Sequence, residues 1–119
     1  MEIKSDIPSK VALSAWETVL RARHTQRPHS KDYIEALFHE PDYIQGDKMH
    51  GDDPALLGGW ADFLGQPIAF LGQQKGRTIA QRMEHNSGMM HPEGYRKALR
   101  IARMAEKFQV PLIAFIDTP

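Results

Sequence analysis

The chain has 119 residues, 41% of them hydrophobic and 25% charged, which fits one soluble globular domain or a piece of a larger one. Lysine plus arginine and aspartate plus glutamate both number 15, so the sequence lacks the basic excess of a nucleic-acid-binding protein. Without cysteine, a long apolar run or a signal peptide, we expect no disulfide, no thiolate zinc site and no membrane association, and we expect a cytoplasmic protein.

The first third of the chain predicts two helices. Ser9 is the predicted cap of a helix that ends near His24 and buries one apolar face. The residues of that face are Val11, Ala12, Ala15, Trp16, Val19 and Leu20. Ser30 is the predicted cap of a shorter helix that Pro41 stops. The apolar residues of this second helix are Tyr33, Ile34, Leu37 and Phe38. Residues 1–41 are therefore predicted to form an N-terminal helical segment.

The next segment predicts a long loop and a hairpin. Asp42 to Pro54 is rich in Asp and Gly and has no clean period, which is typical of a loop. Leu56 to Phe63 and Pro67 to Leu71 are predicted strands, joined by a tight turn at Leu64-Gly65-Gln66. The loop contains four possible metal ligands, Asp47, His50, Asp52 and Asp53. Their spacing matches no metal-binding pattern, so we interpret them as turn and capping residues and predict no metal in this chain.

The strongest helical pattern follows the hairpin. A polar loop from Gln73 to Arg77 leads into a short helix that begins at Thr78 and ends before Gly88. A longer helix begins at Pro92. Its predicted apolar face consists of Tyr95, Ala98, Leu99, Ala102, Ala105 and Phe108. Its opposite face is basic, and we interpret it as solvated; its residues are Arg96, Lys97, Arg100, Arg103 and Lys107.

The last apolar run, Leu112 to Ile116, predicts a strand that is buried on both faces of a sheet. Strand, helix and strand in this order predict an α/β fold with a right-handed crossover. Ligands of such sheets bind at the carboxyl ends of the strands. Two segments follow strands in this way, and their residues are the candidate substrate-binding set: Gln74, Lys75, Gly76, Arg77, Asp117 and Thr118.

The segment Lys75-Gly76-Arg77 places two cations around a glycine. Exposed amides and positive charge there favour a phosphate or a carboxylate. An ordinary basic turn is the alternative interpretation, because the motif is only three residues long. No catalytic side chain can be assigned, since one sequence does not show which of the scattered histidines, serines and aspartates meet in space.

Several motifs occur together in a characteristic order. They begin at Arg27-Pro28 and continue through Gly46-Asp47 and Asp52-Asp53 to the Gln74–Arg77 segment. The most specific runs are Pro92-Glu93-Gly94-Tyr95-Arg96-Lys97-Ala98 and Phe115-Ile116-Asp117-Thr118-Pro119. In order and spacing these motifs resemble the carboxyltransferase alpha subunit of bacterial acetyl-coenzyme A carboxylase, from about residue 22 to the last residue.

The resemblance implies a partial crotonase-like (ClpP/crotonase) fold, with residues 42–119 forming an incomplete carboxyltransferase domain. It implies transfer of carboxylate from carboxybiotin, held on the biotin carboxyl carrier protein, to acetyl-CoA, which gives malonyl-CoA for fatty acid biosynthesis. The implied partner is a zinc-containing beta subunit, in a heterotetramer of two alpha and two beta subunits.

The resemblance also bears on activity. It implies that the oxyanion-hole segments follow Pro119, so we expect this chain to be a fragment that is inactive alone. We expect the isolated chain to self-associate through its unpaired last strand. The alternative hypothesis is a non-catalytic assembly or interaction protein derived from the same subunit.

Overall fold

A four-stranded mixed sheet lies at the centre of the computed structural model, which describes residues 12–119. Its strands lie side by side in chain order: β1 His39–Tyr43, β2 Leu56–Phe63, β3 Gln66–Gln73 and β4 Leu112–Phe115. The first three are antiparallel neighbours, and β4 is parallel to β3. The predicted α/β class is therefore confirmed. The crotonase-like assignment and the division at residue 41 stay predictions.

Helices lie on both faces of this sheet. In the part of the chain that the structure describes they are α1 Ala15–Ala22, α2 Ser30–Leu37, α3 Ile79–Glu84 and α4 Pro92–Phe108, with a 3-10 turn at Asn86–Gly88. Thr78 caps α3, because its hydroxyl accepts the Gln81 N–H, and Pro92 opens α4. Both predicted starts are confirmed. None of the helices between residues 12 and 119 has the length and apolarity that crossing a membrane requires.

The hairpin of β2 and β3 is confirmed, and its turn consists of two residues. Leu64 and Gly65 have φ angles of 54° and 83°, as in the type I′ turn that matches the twist of antiparallel strands. The Asp62 carboxylate accepts the Gly65 N–H at 2.8 Å, which holds the turn. The second strand is longer than predicted and continues to Gln73, so the polar loop begins where the strand ends.

Two apolar clusters hold the helices against the sheet. On one face, Ile34 and Phe38 of the α2 region pack with Phe70 of β3, and all three are buried. On the other face, Ile101 and Ala105 of α4 pack with Ala69. Ala69 and Phe70 are neighbours in β3, and successive side chains of a strand point to opposite faces of the sheet. Phe70 therefore enters the first cluster and Ala69 the second. The central strands are thereby covered on both sides.

The first helix differs from the prediction. It begins at Ala15, and its cap is Ser14, whose hydroxyl accepts the Glu17 N–H; Ser9 and Val11 lie outside the described residues. Its apolar face is not buried, since Trp16 is 64% exposed and α1 contains no buried residue. An amphipathic pattern identifies a helix but does not supply the surface that covers its apolar face.

The second helix also has different ends. His29, and not Ser30, is its N-cap, and the helix ends at Leu37. Pro41 does not terminate it, because the chain has already entered β1, which pairs with β2. The sheet accepts this proline in an outer strand of the described sheet, where the pairing register shifts between His39 and Asp42.

The expectation that β4 is buried on both faces is wrong. Ile113 and Phe115 pack against the α2 cluster, but Leu112 is 40% exposed, and Ile116 lies beyond the strand with 83% exposure. The physical reason is the position of α4, which packs on β2 and β3 and leaves the outer face of β4 uncovered. Self-association through this strand stays a prediction.

The predicted faces of α4 are partly wrong. The buried positions include Ile101 and Lys97, whereas Tyr95, Leu99 and Phe108 are about half exposed or more. Lys97 Nζ donates to Asp52 Oδ1 and to the Leu56 carbonyl oxygen, each at 2.8 Å. Two arginines of α4 are bound as well. Arg96 Nε donates to Asp47 Oδ2 at 2.7 Å, and Arg100 Nη1 donates to the Gly46 carbonyl oxygen at 2.9 Å. Of the five basic residues predicted to be solvated, only Arg103 and Lys107 match that description.

The partner of these cations is the segment 44–55, here called the acid loop. Asp47 accepts the N–H groups of Met49, His50 and Gly51, and Asp53 accepts those of Ala55 and His91. The predicted turn and capping roles are confirmed for these aspartates. Among residues 12–119 no group of three or more histidine, cysteine or acidic side chains could hold a metal ion.

Close packing between β1 and β2 predicts an intolerance to side chains at Gly59. A Cβ atom at this position would overlap with the backbone carbonyl of Asp42 on the neighbouring strand. We expect Gly59→Ala to lower the free energy of unfolding by about 2 kcal/mol, because backbone must move. Urea unfolding of the chain measures this loss. The matched control is Gly51→Ala, where a Cβ meets open space; equal unfolding midpoints for the two variants would contradict the packing.

The acid loop predicts a loss of stability in acid. Hydrogen bonds from the His50 and Met49 N–H groups, with the Arg96 side chain, hold the pKa of Asp47 well below its usual range. A carboxyl whose pKa is lower in the folded than in the unfolded chain stabilises the fold at pH values above its unfolded pKa of about 3.9. This stabilisation is lost as the pH falls from there toward the folded-state pKa. We expect Asp47→Asn to reduce stability at pH 7 and to flatten its decline between about pH 5 and 2.

Urea unfolding across this pH range measures both effects. Glu106→Gln, on the exposed side of α4, is the control and should retain the wild-type dependence on pH. If the free energy of unfolding falls equally steeply with decreasing pH in Asp47→Asn and in wild type, the carboxylate of Asp47 does not link the acid loop to α4.

Candidate functional site

The two predicted binding segments meet at one edge of the sheet. Because β3 and β4 are parallel neighbours, the residues that follow them leave the sheet side by side. Lys75 Nζ lies 2.8 Å from Asp117 Oδ1, and the Asp117 N–H donates to Gln73 Oε1 at 2.9 Å. The structure thus brings together segments that are some 40 positions apart in the sequence.

Gln74 and Gly76 shape this edge. Gln74 is buried, and its Oε1 accepts the Lys31 N–H at 3.0 Å, which ties the start of α2 to the end of β3. Gly76 has a φ angle of 82°, and a Cβ there would lie 2.5 Å from the Gln81 carbonyl carbon. The position therefore requires glycine. These two residues position the segment through backbone and buried contacts.

Arg77 is engaged inside the chain. Its Nη2 donates to Asp32 Oδ2 at 2.8 Å and to the Arg27 carbonyl at 3.1 Å. The Arg77 hydrogen bond, followed by the His29 N–H, lowers the pKa of the Asp32 carboxyl. Lys75 and Arg77 thus each face a carboxylate, so neither presents an uncompensated charge.

A cleft of about 600 Å³ lies between α1 and the segments that follow β3 and β4. Thr118 of the predicted set lines it. Four cationic side chains and two histidines also line it: Arg23, Lys75, Arg77 and Arg82, with His24 and His29. No acidic residue is among the described residues of its lining, although Asp32 and Asp117 lie behind Arg77 and Lys75. Such a wall raises the local concentration of anions.

His29 is the buried polar group of this cleft. Its side chain is nine-tenths buried, and its Nδ1 has no hydrogen-bond partner among residues 12–119. Burial, with the nearby charge of Arg77, lowers the pKa of His29. The ring is therefore neutral at pH 7 and has one nitrogen that donates and one that accepts.

The sequence did not identify Arg23, His29 or Arg82 as candidates. They come from three separate elements, the end of α1, the start of α2 and the middle of α3, and no spacing rule joins them. Of the predicted residues, Gln74 and Asp117 contact the chain itself and do not line the cleft. The assignment of the six predicted residues to substrate binding stays a prediction.

The family of this chain follows from comparison with known sequences. A family described as acetyl co-enzyme A carboxylase carboxyltransferase-like matches residues 3–119. The chain belongs to this family. The resemblance read from the motifs is thus confirmed, and the cleft lies on a carboxyltransferase-like chain.

Relatives with this carboxyltransferase name are similar over most of the chain. The acetyl-coenzyme A carboxylase carboxyl transferase subunit alpha of Acidithiobacillus ferrooxidans is 53% identical over 107 residues, which are 90% of this chain and 34% of the relative. That of Vibrio vulnificus is 48% identical over 118 residues, 99% of this chain and 36% of the relative. That of Aquifex aeolicus is 47% identical over 107 residues. The chain spans about a third of the length of the curated relatives it matches.

The two ion pairs at the site predict different coupling energies. The Lys75 and Asp117 side chains are 22% and 27% exposed, whereas those of Arg77 and Asp32 are 42% and 44% exposed. Water screens the more exposed pair, so we expect a coupling of about 1 kcal/mol for Lys75–Asp117 and about 0.5 kcal/mol for Arg77–Asp32.

Double-mutant cycles with Lys75→Met, Asp117→Asn, Arg77→Met and Asp32→Asn, each followed by urea unfolding, measure these energies. The Lys31–Glu35 pair of α2, more than half exposed, is the reference. A coupling for Lys75–Asp117 no larger than that of Lys31–Glu35 would show that its short distance does not contribute to stability.

Proposed function

We propose that this chain is a segment of a carboxyltransferase alpha subunit that takes part in moving carboxylate from carboxybiotin to acetyl-CoA, to give malonyl-CoA for fatty acid biosynthesis. The observation that carries the proposal is the 53% identity, over 90% of this chain, to a relative with that subunit name. The basic cleft supports it, because both substrates of the reaction are anions.

The chemistry explains which task this segment performs. During transfer, negative charge develops on the ureido oxygen of biotin and on the enolate oxygen of the acetyl thioester, and hydrogen-bond donors aimed at these oxygens lower the barrier. No side chain has to act as a nucleophile. The cleft supplies positive charge beside the ends of two strands, so its proposed task is to bind and orient an anionic substrate.

The proposed partners follow from the same subunit name. They are a zinc-containing beta subunit and the biotin carboxyl carrier protein, in a cytoplasmic heterotetramer of two alpha and two beta subunits with a crotonase-like alpha fold. Exposed apolar side chains support contact with further protein. Those on α4, in β4 and directly after β4 include Tyr95, Leu99, Phe108, Leu112 and Ile116.

The same exposed residues favour a second candidate function, a non-catalytic assembly protein derived from this subunit. The two functions differ in their dependence on the basic cleft. Assembly through apolar surface needs no charge at Lys75 or Arg77, whereas substrate positioning does. Kinetics of charge variants therefore separate the two.

In the complete carboxyltransferase assembly that contains this sequence, we expect Lys75→Ala or Arg77→Ala to raise the KM of one substrate. Removing a charge-assisted hydrogen bond to the substrate corresponds to about 1–3 kcal/mol, which is roughly 5–150-fold. Malonyl-CoA formation at varied acetyl-CoA and varied carboxybiotin measures both KM values. Arg103→Ala, on the exposed side of α4, is the control.

Circular dichroism establishes that each variant is folded. Unchanged KM values for both substrates in folded variants would assign Lys75 and Arg77 to ion pairs that only stabilise the edge of the sheet. Absence of malonyl-CoA formation by the wild-type assembly would instead contradict the proposed function and favour the assembly protein.

A further inference from the structure

A turn with an uncommon backbone conformation lies between α3 and α4. Its residues Asn86, Ser87 and Gly88, here called the 86–88 turn, have φ angles of 45°, 54° and 82°. A left-handed backbone is costly for a residue with a side chain, so two such residues in succession persist only where other contacts hold them. The Met89 N–H donates to the Asn86 carbonyl oxygen, and Asn86 Nδ2 donates to the Met89 carbonyl oxygen, both at 2.9 Å. These two hydrogen bonds close the turn.

The 86–88 turn packs against the segments that follow both parallel strands. Gly88 is buried, and a Cβ atom there would lie 3.0 Å from Lys75 Cγ and 3.5 Å from the Asp117 carbonyl oxygen. Lys75 and Asp117 form the ion pair at this edge of the sheet. Carbon atoms in contact normally lie about 3.5–4.0 Å apart, so the Lys75 side chain occupies room that only glycine leaves free.

This contact restricts the position of the Lys75 ammonium group. Lysine has a long flexible stem, and here the stem passes over Gly88 while Nζ lies 2.8 Å from Asp117 Oδ1. The Lys75 side chain is 22% exposed and lines the basic cleft. The turn, the aspartate and the cleft therefore surround one side chain that the proposed function assigns to substrate binding.

We propose that Gly88 is a positioning residue for Lys75, and that the 86–88 turn holds the Lys75 side chain at the cleft, where its ammonium group contacts the anionic substrate. This inference rests on the proposed function, in which Lys75 binds substrate. Gly88 itself contacts no substrate, so its substitution should act through Lys75. A turn that only connects two helices would affect stability and leave substrate binding unchanged.

Double-mutant cycles on the 119-residue chain test the contact without substrate. With Lys75→Met and Asp117→Asn, the wild-type pair should change the unfolding equilibrium constant about fivefold. In a Gly88→Ala background this coupling should fall to that of the exposed reference pair, Lys31–Glu35, because a Cβ at position 88 displaces the Lys75 stem.

Gly65→Ala is the matched control. Gly65 has a φ angle of 83°, close to the 82° of Gly88, but a Cβ there meets open space. Both alanine variants therefore impose a similar backbone strain, and only Gly88→Ala crowds Lys75. The coupling between Lys75 and Asp117 should keep its wild-type value in Gly65→Ala.

A second variant covers the case in which alanine at position 88 prevents folding. Asparagine tolerates the left-handed conformation better than alanine, but its Cβ still meets Lys75 Cγ. Gly88→Asn should therefore fold and lose the coupling. A folded Gly88 variant in which the coupling keeps its wild-type value would overturn the inference.

Kinetics of the complete carboxyltransferase assembly test the consequence for substrate. Gly88→Ala should raise the KM of the substrate that Lys75→Ala affects by about fivefold and change kcat by less than about twofold. In a Lys75→Ala background the same substitution should have no further effect on KM, because the crowded stem is absent. Gly65→Ala should keep the wild-type KM values.

Two kinetic results would also overturn the inference. One is equal KM values in Gly88→Ala and Gly65→Ala. The other is a combined variant whose KM increase is the product of the increases from Gly88→Ala and Lys75→Ala, since Gly88 would then act independently of Lys75. If Gly88→Ala loses the coupling in the chain but the wild-type assembly forms no malonyl-CoA, the proposed function is wrong and the positioning of Lys75 by Gly88 stands.

Discussion

Parallel pairing of β3 with β4 is the contact on which the candidate site depends. The pairing runs from Ala69 opposite Leu112 to Gly72 opposite Phe115, and the Ala69 N–H donates to the Pro111 carbonyl at 2.9 Å. It places residues 74–77 beside residues 117–118 at the same edge, where Lys75 and Asp117 meet. Parallel neighbours need a long connection, and α3 and α4 provide it.

The position of α4 is fixed from two sides. Ile101 and Ala105 pack on the sheet, while the acid loop holds the helix through Arg96, Lys97 and the backbone at His91. Lys97 is the most constrained of these groups, because its ammonium is buried and has both a carboxylate and a carbonyl as partners. A buried charge without such partners would cost several kcal/mol by general estimates, so the position of Lys97 depends on the acid loop.

The cationic side chains around the cleft differ in whether a carboxylate of the described chain faces them. Lys75 is paired with Asp117, which follows β4, and Arg77 is paired with Asp32 of α2. Arg23, which follows α1, and Arg82 of α3 also line the cleft and have no ion-pair partner among residues 12–119.

Local patterns in the sequence determined most of the elements and the family. The hairpin turn at Leu64-Gly65, the cap at Thr78 and the helix start at Pro92 each depend on residues within a few positions, and the motifs from Arg27 to Pro119 identified the carboxyltransferase alpha subunit. The prediction missed β1, because His39–Tyr43 forms a strand only through its pairing with β2. Tertiary structure decided which faces are buried, because burial depends on neighbours distant in the chain: Lys97 is enclosed by Asp52, and β4 is exposed where α4 does not reach. It likewise decided the lining of the cleft, since only folding brings Arg23, His29 and Arg82 together.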